Sequence, residues 1–307
     1  KVNSLKELNS KSILNFIMQN AIFVCLLALI LIIIIVEPSF LSGTVLRDIL
    51  VQVSTRSIIA LAVAFILITG GVDLSSGRMV GFAAVISGSM LQTLDYPRRF
   101  YPDMPAVNLL VPILISMVIC MVMGLLNGFV VSRLKVPPFI ATLATMTIVY
   151  GINSIYINLP PNNSQPLGGY RKDFTFLGSG YILGIPVIVI IAVVVTAICW
   201  VLMNNTRFGK NVFAIGGNVN AARVSGVNID RTLLCLYAFA GAMYGLAGVL
   251  ESARTGGANN NYGSGYELDA VAACVVGGVS LLGGVGTVPG VIIGVLIFGV
   301  INYGLTF

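Results

Sequence analysis

The chain has 307 residues, of which 57% are apolar and only 9% charged, with a formal net charge of +6. A soluble domain carries about 25% charged residues, so this composition excludes a water-facing globule and leaves most of the surface to lipid. The absence of histidine removes imidazole proton relays, histidine-ligated metals and Ser-His-Asp catalysis.

A helix needs roughly 20 apolar residues to cross the hydrocarbon layer. The first apolar run, 14–36, is too long for a signal-peptide core and lacks a small-residue cleavage site, so it reads as a retained span. The next runs are 49–69, 79–94, 107–131, 139–157, 182–203, 233–250, 268–282 and 290–306, separated by polar or Pro- and Gly-rich breaks. They predict an all-α, polytopic transmembrane helical bundle of about nine spans, forming a single domain over 1–307.

Alternating from a cytoplasmic N-terminus puts ten basic residues inside (Lys1, Lys6, Lys11, Arg78, Arg133, Lys135, Arg207, Lys210, Arg223, Arg231) and six outside. Three acids fall inside (Glu7, Asp73, Asp230) and eight outside. The basic excess marks the cytoplasmic face, so the positive charge orients the chain in a membrane and does not signal nucleic acid. Arg56 alone remains within a span. It snorkels to the outer end or it faces an aqueous pathway. The five cysteines sit in apolar runs without a CxxC pair and read as buried, inert thiols.

Lipid does not drive helices together by apolar burial, and close backbone approach helps them associate. Gly77/Gly81, Gly124/Gly128, Gly241/Gly245 and Gly290/Gly294 repeat the small-xxx-small spacing and predict tight crossings. Residues 70–81 also echo 283–294, agreeing at five of twelve positions. That agreement is either a duplication or the chance similarity of glycine-rich segments.

Residues 204–232 form the longest inner segment, and Asn220–Gly226 fits a short helix with a glycine stop. Such a helix docks into a partner's groove or merely connects two spans. Gly209-Lys210 approaches a phosphate-binding loop but lacks its first glycine and its hydroxyl residue, which predicts that any nucleotide site lies on another chain. Asp73 sits beside a glycine break with Ser75 and Ser76, and serves either as a cap or in a pathway or gate. Glu267 and Asp269 suit a helix N-terminus, and Glu251 and Arg254 are spaced to pair. Gln52, Asn127, Asn153 and Asn302 lie inside spans, where they line a path for a hydrophilic neutral solute or join helices. No acid pair sits at mid-span, which speaks against a proton-driven carrier.

Four segments carry a resemblance: 69–77 (TGGVDLSSG), 136–143 (VPPFIATL), 205–218 (NTRFGKNVFAIGGN) and 266–278 (YELDAVAACVVGG). With them the chain, over almost its whole length, resembles the membrane permease subunits of bacterial ABC sugar importers of the ribose/xylose/galactose type. The last two segments and 301–306 (INYGLT) are most similar to its galactose/methyl-galactoside members. The resemblance implies a permease domain over 1–307 in a bacterial inner membrane, with no cofactor, metal or catalytic residue of its own. It implies two permease copies, two ATPase subunits, a periplasmic sugar-binding protein and a monosaccharide substrate. It implies further that 204–232 couples to the ATPase through an EAAxxxG pattern. Ala221, Ala222 and Gly226 match that pattern, Arg223 lies within it, and Asn220 stands in place of the glutamate. Asp73, Ser75, Asn127, Asn153 and Asn302 are the candidate pathway or gating residues. Family members usually have a tenth span, so a further C-terminal span is expected beyond Phe307. A stand-alone secondary sugar carrier is the alternative reading. An intramembrane enzyme is disfavoured by the missing histidine and carboxylate pairs.

Overall fold

In the computed structural model, residues 21–36, 40 and 42–304 are described. The proposed cytoplasmic placement of Lys1, Lys6, Glu7 and Lys11, the start of the first span and the surroundings of the Cys25 side chain lie outside these residues.

The described chain is a helical bundle. In order it contains α1 (Ala21–Val36), α2 (Gly43–Ile68), α3 (Ser76–Met90), α4 (Leu110–Ser132), α5 (Pro138–Ile157) and α6 (Lys172–Ser179). A two-stranded hairpin follows, β1 (Tyr181–Ile182) and β2 (Ile185–Pro186). Then come α7 (Val187–Asn205), α8 (Arg207–Gly217), α9 (Val219–Val224), α10 (Ile229–Thr255), α11 (Tyr266–Val276) and α12 (Val288–Gly304).

Five of these helices, α2, α4, α5, α7 and α10, are long and apolar enough to cross a membrane. The apolar stretches in α1 and α12 are shorter. The predicted spans 79–94 and 268–282 differ from the expectation. They are α3 and α11, of 15 and 11 residues, or roughly 22 and 17 Å at 1.5 Å per residue. Neither alone spans a hydrocarbon layer of about 30 Å. An apolar run hidden inside protein and one facing lipid look alike in sequence, and α3 is buried at thirteen positions.

Both short helices follow a long helix that ends in the same way. Ser42 caps the start of α2, its Oγ accepting from the Val45 N–H at 3.3 Å. α2 then runs into Thr69, with Gly70 at φ +78°. Asn228 caps α10 by accepting from the Arg231 N–H at 3.0 Å. α10 runs into Thr255, with Gly256 at φ +70°. Only glycine adopts this left-handed turn without strain. After each Thr-Gly-Gly the chain turns back alongside its neighbours before the short helix begins.

The two units run in opposite directions. α2 ends beside α8 and α9, where Gly284 N–H donates to Ile68 O at 2.8 Å. α10 ends at the far end of the bundle, where Leu167 and Ala258 pair through their backbones at 2.8 and 3.2 Å. A long helix, a glycine turn and a half-length helix, repeated in inverted order, is a plan found in transporters. It differs from the sequence echo between 70–81 and 283–294, which runs from a glycine turn into α12 and follows the short α11.

Three of the four glycine pairs mark tight helix crossings, whereas Gly77 and Gly81 pack against the non-helical backbone at 262–263. A Cβ on Gly124 would lie 2.1 Å from Tyr237 O, and one on Gly241 would lie 2.2 Å from Cys120 O. A Cβ on Gly290 would meet Gly277 O at 2.2 Å, and one on Gly294 would meet Ala273 O at 2.0 Å. At such distances the backbones touch, and dispersion between them holds the helices. At the centre, every residue from Ser57 to Ile68 of α2 is buried. Cys120, Cys199 and Cys274 are buried as expected, but Cys235 is exposed because its face of α10 borders the open groove beside α9.

Candidate functional site

Three of the candidate pathway residues meet where α3 begins. Ser75 donates to Asp73 Oδ1 through its N–H at 2.8 Å and its Oγ at 2.5 Å. Tyr244 Oη of α10 donates to Asp73 Oδ2 at 3.2 Å. Asn127 Nδ2 of α4 donates to Ser75 Oγ at 3.0 Å, and Thr145 Oγ1 of α5 donates to Asn127 Oδ1 at 2.5 Å. A continuous polar relay thus joins α10, the break after α2, α4 and α5. Capping is corrected as the reading of Asp73: neither its carboxylate nor the Ser75 hydroxyl bonds an N–H inside α3. The carboxylate is spent on its own turn and on Tyr244, which leaves Asp73 fully buried beside the middle of α10.

Replacing Asp73 by leucine strands the Ser75 N–H, the Ser75 hydroxyl and the Tyr244 hydroxyl in a dry interior, at about 1–3 kcal/mol for each group left unpaired. Asp73→Leu is therefore expected to lower the detergent melting temperature markedly. Asp73→Asn, which keeps an acceptor for Ser75, is expected to retain most of the stability. Thermal unfolding of the two variants measures the difference.

A second buried centre joins α10 to α2 and α11. Glu251 accepts from Thr55 Oγ1 at 2.7 Å, from Arg254 Nη2 at 2.8 Å and Nε at 3.0 Å, and from Tyr266 Oη at 3.2 Å. The expected Glu251–Arg254 pair is present, and the partners from α2 and α11 complete it. The Arg56 guanidinium stacks on the Tyr266 ring, 3.2 Å from the centroid, and pairs with Asp269 at 3.4 Å. This cation–π and ionic pairing satisfies the charge where it stands. Arg78 is corrected from an inner connection to the first turn of α3. There it donates to Asn261 and Ser264, which belong to the segment returning from the far end. Asn153 is buried apart from the relay, with its Oδ1 unpaired. Asn302 lies on a different face, near Arg56.

Segment 204–232 folds into α8 and α9 rather than a loop. Asn218 caps α9 by accepting from the Asn220 and Ala221 N–H groups at 3.0 and 2.9 Å, and Gly226 ends it at φ +83°. Ala222 turns inward, 3% exposed, between Ile215 and Ile229. Asn220, Ala221 and Arg223 face outward, and Val224 is 90% exposed. Asp230 at the start of α10 holds Lys135 at 3.0 Å and Arg133 at 3.6 Å, which ties the α4–α5 connection to the same end.

The last turn of α8 rests on the end of α2 and on the 283–284 turn that follows α11. A Cβ on Gly216 would lie 1.7 Å from Ile68 O and 2.5 Å from Gly284 N. One on Gly283 would lie 2.9 Å from both Gly216 O and Gly70 N. Sequence reasoning missed this joint and missed Thr55 and Tyr266. The repeated Thr-Gly-Gly at 69–71 and 255–257 was the available signal for the inverted units.

No solved structure matches the chain. A family model described as branched-chain amino acid transport system / permease component matches residues 45–307. The galactose/methyl galactoside import permease protein MglC of Escherichia coli (strain K12) is 50% identical over 307 residues, covering 99% of this chain and 91% of that protein. The MglC protein of Haemophilus influenzae is 49% identical with the same coverage. The ribose import permease protein RbsC of Bacillus subtilis (strain 168) is 38% identical over 285 residues, covering 92% of this chain and 83% of that protein. Matched over most of its length by that description and by these import permeases, the chain belongs to the family of membrane permease components of bacterial transport systems.

Proposed function

We propose that the chain is the permease subunit of an ATP-driven importer, that it carries a monosaccharide into the cytoplasm, and that galactose or a methyl galactoside is the sugar. The identity to proteins named as galactose/methyl galactoside import permeases, 50% against 38% for a ribose import permease, supports that sugar. Two copies enclose the pathway in an inner membrane, with the α8–α9 end in the cytoplasm against an ATPase subunit. A periplasmic binding protein delivers the sugar to the far end. About nine crossings, two of them made by α3 and α11 together with the non-helical segments that precede them, and an N-terminus inside fit this arrangement.

The observation that carries the reading is the seat of α8 on the ends of α2 and the 283–284 turn. A pull on the exposed α9 reaches both inverted units without an intervening flexible linker. Alternating access needs two discrete arrangements of packed elements, and a joint shared by the two units provides the lever between them. The relay through Asp73, Ser75 and Asn127 holds the start of α3 in the arrangement seen here. Ala221→Cys tests the contact directly. In membranes holding the whole transporter, it is expected to cross-link to the ATPase subunit through a short bifunctional thiol reagent. No cross-link from any exposed position of α9 would overturn the reading.

A further inference from the structure

A groove of about 780 Å³ opens at the α8–α9 end of the bundle, between the start of α8, the turn that links α9 to α10 and the first turns of α10. Arg207 of α8 and Arg231 of α10 line it, and no acid does. Thr206 caps α8 by accepting from the Gly209 N–H at 3.3 Å, and Asn228 caps α10. Each arginine therefore stands in the first turn of its helix, where the helix dipole is positive and disfavours a cation.

Among the described residues nothing neutralises these two charges. Neither guanidinium makes a hydrogen bond or an ion pair there, and both arginines are exposed. Residues 130–135 and 204–232 hold six basic residues against one acid. That acid, Asp230, is already held by Lys135 at 3.0 Å and by Arg133 at 3.6 Å. Two helix N-termini and two unpaired guanidiniums around one groove make a seat for an anion.

The lining narrows the occupant. A guanidinium fork matches a carboxylate or a phosphate. A phospholipid would bring acyl chains, which need an apolar wall below the phosphate. Apart from Phe208, Val227 and Cys235, this lining is polar or glycine. The groove also adjoins the end of α9 at Ser225 and Gly226, so a protein seated on the outward face of α9 reaches it without a gap. We propose that the groove receives an acidic segment of the ATPase subunit, whose Asp or Glu carboxylates pair with Arg207 and Arg231. The proposal rests on the permease reading and adds the chemistry of the partner's contact face. Seated there, the segment grips the start of α10 as well as α8.

The test places the full-length permease in nanodiscs of neutral lipid and titrates it with its fluorescently labelled ATPase subunit. Raising the salt from about 50 to about 300 mM is expected to weaken binding roughly tenfold or more. The Arg207→Glu/Arg231→Glu double variant is expected to lose a similar factor at low salt with an unchanged melting temperature, because both side chains are exposed. Lys172→Glu, at the far end, is expected to bind as the wild type does. A second measurement names the partner groups. Carbodiimide couples lysine, but not arginine, to a carboxylate. Arg207→Lys and Arg231→Lys are therefore expected to gain a cross-link to an Asp or Glu of the ATPase that the wild type lacks. Binding by the double variant at wild-type strength, or no new cross-link from either lysine, overturns the acidic partner while wild-type binding leaves the permease reading intact. Anionic lipid that co-purifies with the wild type and is lost from the double variant, with ATPase binding unchanged, overturns it in favour of a lipid. A wild-type permease that binds no ATPase overturns the permease reading itself.

Discussion

Replacing Ala221 by tryptophan is expected to leave the protein folded and inserted yet nearly abolish ATP-driven sugar uptake. Ala221 faces outward on α9, whereas Ala222 beside it is 3% exposed between Ile215 and Ile229. An indole at 221 meets only what docks on α9. A misfit at a buried docking contact costs about 2 kcal/mol, roughly thirtyfold in affinity. Sugar-stimulated ATP hydrolysis and uptake are expected to fall together, with wild-type expression and melting temperature. Ala222→Leu is expected to behave in the opposite way. It forces three more carbons into the small cluster that seats α9, costing about 1–3 kcal/mol of local stability. Melting curves and ATPase assays on the two neighbours separate a docking surface from a structural one.

Gly216→Val is the second large effect. The added Cβ would lie 1.7 Å from Ile68 O and 2.5 Å from Gly284 N, which are backbone atoms that no rotamer change can clear. Overpacking costs about 1–3 kcal/mol even where side chains yield, and here the joint itself must open. The melting temperature is expected to fall by roughly 5 °C or more, and transport is expected to be lost even in the fraction that remains folded. Gly217→Ala is the control, since a Cβ there meets nothing within 4 Å. If both variants transport at the wild-type rate, the joint plays no part in coupling.

The fold was legible where one residue type carries one physical demand. Long apolar runs marked α2, α4, α5, α7 and α10, because only a continuous apolar helix crosses hydrocarbon without partners. The glycine pairs marked the α4–α10 and α11–α12 crossings, because nothing larger fits between touching backbones. A glycine stop marked the end of α9, while its Asn218 cap was not read from the sequence. The half-length of α3 and α11 was not legible, since burial inside protein asks for the same residues as burial in lipid.

Long-range pairing was illegible for a different reason. Arg56 finds Asp269 213 positions away, and Arg78 finds Asn261 183 positions away. Read alone, Arg56 was left between snorkelling and an aqueous pathway and Arg78 was placed in an inner connection, and only the chain after Thr255 supplies their partners. The relay was half legible. Asp73 and Ser75 stood out beside the glycine break, but Tyr244 and Thr145 carry no local signal that singles them out.

The coupling of this chain to a separate ATPase is tested most directly by galactose accumulation in proteoliposomes. With the purified permease, its ATPase and a sugar-loaded binding protein, galactose is expected to accumulate only when ATP is supplied on the α8–α9 side. Accumulation by the purified permease alone, driven by an ion gradient without ATPase or ATP, would contradict the account.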